Sequence, residues 1–159
     1  MADPRKHEME FTDDQIKEYD WHVDYYYSNL IESIILYTYD EKGLDGLHEI
    51  LGDPITELYE ELDYAYTPVL IETVFANNKV DAAHRNEVFS FKKRVDEIPT
   101  EIWKLEELDT NPTWLKIRSG ANKLLDVLGI ESRTYEANYT AIYNGGGMIV
   151  YEGPQRRKS

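Results

Sequence analysis

The chain has no cysteine among its 159 residues, which excludes a disulfide framework, a thiolate nucleophile and any cysteine metal site. Bases are scarce: 17 Lys and Arg stand against 31 Asp and Glu, a formal charge of −14. A surface of that sign repels phosphate backbones and anionic bilayers at long range, so neither nucleic acid nor a membrane is an expected partner. Long apolar runs are missing as well. The longest, Leu30 to Tyr37, is broken by Glu32 and Ser33, and it is far shorter than the roughly 20 residues a spanning helix needs. Met1 to Glu10 is polar and charged, without the apolar stretch of a signal peptide, so the expected location is cytoplasmic. No internal repeat is visible.

What is present suffices for a packed interior. With 42% hydrophobic and 13% aromatic residues, the chain is expected to fold as one domain spanning 1–159, with short flexible ends at about 1–10 and 154–159. Thr12 and Gln15 spell a capping box, with Phe11 and Ile16 as its staple. Apolar residues then recur at Ile16, Tyr19, Val23, Tyr26 or Tyr27, Leu30, Ile34 and Tyr37, the spacing of one helical stripe ending near Tyr39. A short helix over Leu44 to Leu51 follows. Gly52, Asp53 and Pro54 combine a stop, an N-cap and a first-turn proline, which predicts a second long helix from Pro54. Val69 to Phe75 fits either a helix starting at Pro68 or a buried strand, and helix is preferred. Ala82 to Val95 reads as helix, Thr100 to Leu108 as a further turn or two, and Asn111-Pro112 opens a helix that Gly129 closes.

Beyond Ile130 the pattern changes. Tyr135, Tyr139, Ala141 and Tyr143 alternate with smaller or polar residues, and Gly145 to Gly147 precedes Met148 to Tyr151, which predicts a terminal β-hairpin. The expected class is therefore α+β, mainly α: a compact bundle of about five or six helices carrying that hairpin. Its core should include Ile16, Val23, Leu30, Ile34, Leu58, Leu62, Val95, Trp103, Leu115, Leu124 and Leu128, with Trp114 either core or an exposed anchor.

Motifs of a specific chemistry are wanting. No serine sits in a strand-turn-helix context, and the Gly145 to Gly147 run lacks the Lys and Ser or Thr of a phosphate loop. No catalytic residue or cofactor is assigned, and an enzyme is the less favoured class. The alternative is a metal-dependent helical enzyme. Asp45 with His48 and Asp81 with His84 have the i, i+3 spacing that puts two ligands on one helical face, with Glu32 and Glu72 imaginable beside them. Asp and His are common in so acidic a chain, so surface histidines near carboxylates explain both pairs better, and His22 after Glu18 reads as a solvated helical pair.

The distribution of charge is more informative. Between His7 and Gly153 there are 30 acids and 12 bases. Glu8 to Asp24 holds seven acids and only Lys17, and Asp40 to Asp63 holds nine acids and only Lys42, whereas Lys79 to Arg94 carries five bases and two acids. Tyrosines lie among the acids: Tyr25, Tyr26 and Tyr27 in succession, then Tyr37, Tyr39, Tyr59, Tyr64 and Tyr66. A helix with one buried stripe cannot bury three consecutive tyrosines, so at least one should be exposed. Tyrosine anchors interfaces and surrounding acids steer a basic partner. In size, charge and helical character the chain resembles the small, acidic, cysteine-free immunity proteins that bacteria pair with toxins, often nucleases. That resemblance implies occlusion of a basic partner, and the charge distribution offers Asp20, Asp24, Glu57, Glu60 and Glu61 to face its Lys or Arg, with Tyr26 or Tyr59 as anchors. A nucleic-acid mimic, with carboxylates at phosphate-like spacing, is the other binding alternative.

Overall fold

The computed structural model describes residues 11–136 in full and, beyond them, the backbone of two short strands, 141–143 and 149–152. Across residues 11–136, 72% of positions are helical and none lies in a strand. Within residues 11–136 the fold is all-helical, which corrects the expected α+β class. Tyr135, taken as the first residue of the alternating pattern, is instead an irregular segment docked on the helices. Its backbone N–H donates to the Tyr39 hydroxyl at 2.7 Å, and the Glu136 N–H donates to the Glu32 carboxylate at 2.8 Å. Further on, Ala141–Tyr143 (β1) pairs antiparallel with Ile149–Glu152 (β2) in a two-stranded sheet. The Gly145 to Gly147 run lies outside the described residues, as do both chain ends expected to be flexible.

Helix α1, Asp13–Leu36, starts at the expected capping box: the Gln15 N–H donates to Thr12 Oγ1 at 3.1 Å, and the Thr12 N–H donates to Gln15 Oε1 at 2.9 Å. It is followed by α2 (Glu41–Asp45), α3 (His48–Leu51), α4 (Pro54–Ala65), α5 (Pro68–Ala76), α6 (Arg85–Asp96) and α7 (Pro112–Val127). The expected helix over Leu44 to Leu51 is thus two short ones divided at Gly46. Pro68 settles the ambiguous segment as helix by occupying the first turn, where its missing N–H costs nothing. At the end of α7, Gly129 adopts φ 77°, and the Ile130 N–H reaches the Leu125 carbonyl at 2.9 Å. That six-to-one bond and the burial of both side chains make the stop a Schellman motif.

Three helices, α4, α5 and α7, pack on α1. The second half of α1 is therefore a central helix, and every residue from Tyr27 to Tyr37 is buried. Here the one-stripe expectation fails. Tyr25 and Tyr27 are both buried and Tyr26 is half-buried, because neighbours cover α1 on several sides. Its aliphatic side chains contribute roughly 1.5–3 kcal/mol each through burial. Leu58 and Leu62 of α4, Phe91 and Val95 of α6, and Trp114, Leu124 and Leu125 of α7 complete the core. Leu115 is not part of it, being 42% exposed. Trp114 takes the inward position one residue earlier, and its indole N–H donates to the Ile102 carbonyl at 2.6 Å. Trp103 and Leu128 only flank the core. Among the described residues no helix is long and apolar enough to cross a membrane.

Candidate functional site

Helix α4 presents its residues in three directions. Leu58, Leu62 and Ala65 enter the core. Glu57, Glu60, Glu61 and Tyr64, spaced at i, i+3, i+4 and i+7, share a second face. That face forms one wall of a pocket of about 430 Å³, which Tyr25 and Asn29 of α1, Ile50 and Leu51 of α3, and Tyr135 complete. Three carboxylates, three phenol rings and one carboxamide thus meet in a single concavity. Among the described residues no Lys, Arg or His lines it, and none pairs with Glu57, Glu60 or Glu61.

The electrostatics follow from that arrangement. Burial, then the charges of Glu57 and Glu60, hold the Glu61 carboxyl above its ordinary value. Burial, with Glu60 and Asp53 nearby, does the same to Glu57. The Tyr135 phenol is pushed well up by burial and by Glu61, Glu32 and Glu57. Burial comes first in each case and the neighbouring negative charges add to it, with no cation among the described residues lining the pocket to relieve them.

Asn29 is the floor's unmet polar group. It is only 5% exposed, and among the described residues its Nδ2 has no hydrogen-bond partner. A buried donor left unpaired costs about 1–3 kcal/mol, so nearly all such groups in folded proteins are paired. Beside it, Tyr25 stacks on Trp21 with ring centroids 5.4 Å apart, which fixes the phenol at the pocket wall.

The other candidate residues are dispersed. Asp24 is bonded to Lys79 at 2.7 Å, so its charge is answered within the molecule. Asp20 is exposed on the outer half of α1. Tyr26 lines a larger, mainly apolar groove of about 710 Å³ between α1 and α5, with Ile16, Tyr19 and Val69. Though larger, that groove gathers no set of charges. Tyr59 points away from the acidic pocket, edge-on to Trp103 at 5.9 Å, with Lys92 Nζ 5.3 Å from its ring centroid.

The two Asp and His pairs serve local structure. His48 Nδ1 lies 3.1 Å from the Asp45 carbonyl oxygen, and the Asp81 side chain accepts from the Ala83 N–H at 2.9 Å. Glu72 is held by Arg85, and Glu32 by the Glu136 N–H. Among the described residues no group of three or more His, Asp or Glu side chains is placed to hold a metal, so this geometry lends the metal-enzyme alternative no support. His22 bonds back to the Glu18 carbonyl at 2.8 Å, a contact within one helical turn.

Sequence reasoning singled out Glu57, Glu60 and Glu61 but not Asn29 or Tyr135. A lone Asn within the apolar stretch that follows Tyr27 was the available signal. Comparison with known proteins finds no matching family, no matching curated protein and no matching solved structure.

Proposed function

We propose that the protein is an acidic binding module that occludes a basic partner, acting as an immunity protein does against a bacterial toxin such as a nuclease, in the cytoplasm. One observation carries the reading: three glutamates and three tyrosines gather in one pocket where no described base answers their charge. Several acids elsewhere are answered internally, among them Asp24 by Lys79 and Asp109 by Arg118. Carboxylates held together against mutual repulsion weaken the fold slightly, and a cation from outside reverses that penalty. Long-range attraction raises the association rate, while aromatic rings supply contact area.

The test is a pull-down with this protein as bait in lysate of its source, including the products of adjacent genes, at low and at high salt. The expected result is a basic protein recovered one-to-one, with recovery falling as salt rises. Absence of a partner at both salt concentrations overturns the reading.

A further inference from the structure

Helix α5 is apolar almost all round: in Pro68–Ala76 only Glu72 and Thr73 are polar, and a helix of that composition is ordinarily covered on every side. Leu70, Ile71, Val74 and Phe75 are buried, but Val69 stays 69% exposed. Phe11 and Tyr19 are exposed beside it, and the three meet in the groove of about 710 Å³ between α1 and α5. Single exposed apolar side chains are commonplace, whereas a contiguous group marks an interaction surface. We infer that this groove receives an amphipathic helix of the basic partner, its apolar stripe turned inward and Lys or Arg along its edges. The inference rests on the proposed capture of a basic partner and adds the form of the captured segment.

Hydrogen bonding decides that form. The polar groups of the groove are already engaged within the protein. Thr73 Oγ1 donates to the Val69 carbonyl at 2.6 Å, and Asn77 Nδ2 donates to the Tyr19 hydroxyl and to the Thr73 carbonyl, both at 2.9 Å. His22 Nδ1 lies 2.8 Å from the Glu18 carbonyl oxygen, and Gln15 Oε1 accepts from the Thr12 N–H. Both walls are helices, so neither offers a strand edge. An extended peptide would leave the N–H and C=O groups it turned toward the groove without partners, whereas a helix satisfies its own. The lining residues of α1 also suit a helix. Gln15, Tyr19, His22 and Tyr26 recur at three- and four-residue spacing over about three turns, roughly 17 Å, which matches the anchors a helix laid alongside presents.

Charge decides the edges. Glu18 is the acid among the lining residues, Asp14 stands one turn before it on α1, and no Lys or Arg among the described residues lines the groove. From Asp13 to Asp24 the helix carries five acids and only Lys17 as a base. Acids beside an apolar strip attract a helix with basic flanks and repel an acidic one. The same charges disfavour a second copy of this chain, since pairing identical faces would set Asp14 and Glu18 near their own counterparts on a molecule of charge −14.

The test is an NMR titration of the labelled full-length protein with three synthetic peptides, each about 18 residues or roughly five helical turns long. The first has Leu at helical spacing and Lys elsewhere, the second has the same composition rearranged to break the stripe, and the third has Glu in place of Lys. The Val69 methyl signals and the Thr73 backbone amide are followed. The inference expects saturable shifts at both with the first peptide, whose affinity exceeds that of the other two by about tenfold or more. In Phe11→Ser/Val69→Ser, its fold verified by its spectrum, that affinity should fall about tenfold. In Leu115→Ser, which removes an exposed apolar residue of α7 outside the groove, it should stay within about twofold of wild type. Equal binding of the first two peptides, equal binding of the glutamate peptide, or saturable shifts confined to the acidic pocket of α4 overturns the inference. Shifts at Val69 that grow with protein concentration in the absence of peptide overturn it in favour of a second copy. A basic partner that binds Phe11→Ser/Val69→Ser as tightly as wild type also overturns the groove, while leaving capture of a basic partner standing. Absence of any basic partner at both salt concentrations overturns the broader reading, and this inference with it.

Discussion

Two faces of the same helix treat acids in opposite ways. On one side of α4, Asp63 meets Lys92 at 3.2 Å, and the same ammonium reaches Asp96 of α6 at 2.7 Å and lies over the Tyr59 ring. Burial alone would lower the Lys92 pKa, but the hydrogen bonds it donates to Asp96 and Asp63 more than offset it, so the net shift is upward. On the other side Glu57, Glu60 and Glu61 stand together with no described base among them, and two of them are pushed upward. The lesson is that net charge does not locate a binding surface. The fold consumes some acids in caps and internal pairs, and only those it leaves unanswered are available to a partner.

The comparison breaks most severely at the face both sides depend on. Leu62 lies in the core between them, and Leu62→Ala should cost about 3 kcal/mol of unfolding free energy, read by urea denaturation. Both faces should fail together. Next in size, Lys92→Met keeps the packed stem but strands Asp63 and Asp96. It should cost about 1 kcal/mol while leaving binding at the acidic pocket unchanged. Asn29→Leu goes the other way: it removes an unsatisfied buried amide, so stability should rise by about 1 kcal/mol. Smallest is Glu57→Gln/Glu61→Gln, which relieves an i, i+4 repulsion and should raise stability by about 0.3 kcal/mol. A loss of stability there would show that the face is structurally answered after all.

pH sharpens the contrast. The folded chain holds the protons of Glu57 and Glu61 more tightly than the unfolded chain does. Acidification through their raised range therefore favours the fold, and a rise in pH through it removes that contribution. The gap in stability between wild type and Glu57→Gln/Glu61→Gln should accordingly close between neutral pH and about pH 4. Asp109 behaves oppositely. Hydrogen bonding from Arg118 lowers its carboxyl, so its contribution is present at neutral pH and is lost as pH falls through the lowered value. Paired denaturation curves of wild type and Asp109→Asn across that range check the sign.

The local rules of the sequence were sufficient for most helix boundaries. Thr12, Asp53-Pro54, Asn111-Pro112 and Gly129 each act through a bond or conformation fixed within one turn of chain, and such signals are legible without tertiary context. What depends on neighbours was not. Nothing in the repeat of α1 discloses that three helices surround its second half, so the burial of both Tyr25 and Tyr27 was missed. The alternation after Ile130 has a strand's period, yet Tyr135 is fixed by Tyr39, distant in sequence. The pocket was half visible for the same reason. Glu57, Glu60 and Glu61 share a face by helical spacing alone, whereas Asn29 and Tyr135 join them only through the packing of α1 and the docked segment against α4.

The central claim is that the unanswered acids of α4, rather than the total charge, bind the cation. It is tested most directly by comparing two charge-matched variants, Glu57→Gln/Glu60→Gln/Glu61→Gln and Glu97→Gln/Glu101→Gln/Glu106→Gln, in calorimetric titrations with an oligoarginine peptide at physiological salt. The account predicts that affinity falls about tenfold or more in the first variant and stays within about twofold of wild type in the second. Equal losses in both would mean that binding follows net charge alone, and the site on α4 would have to be abandoned.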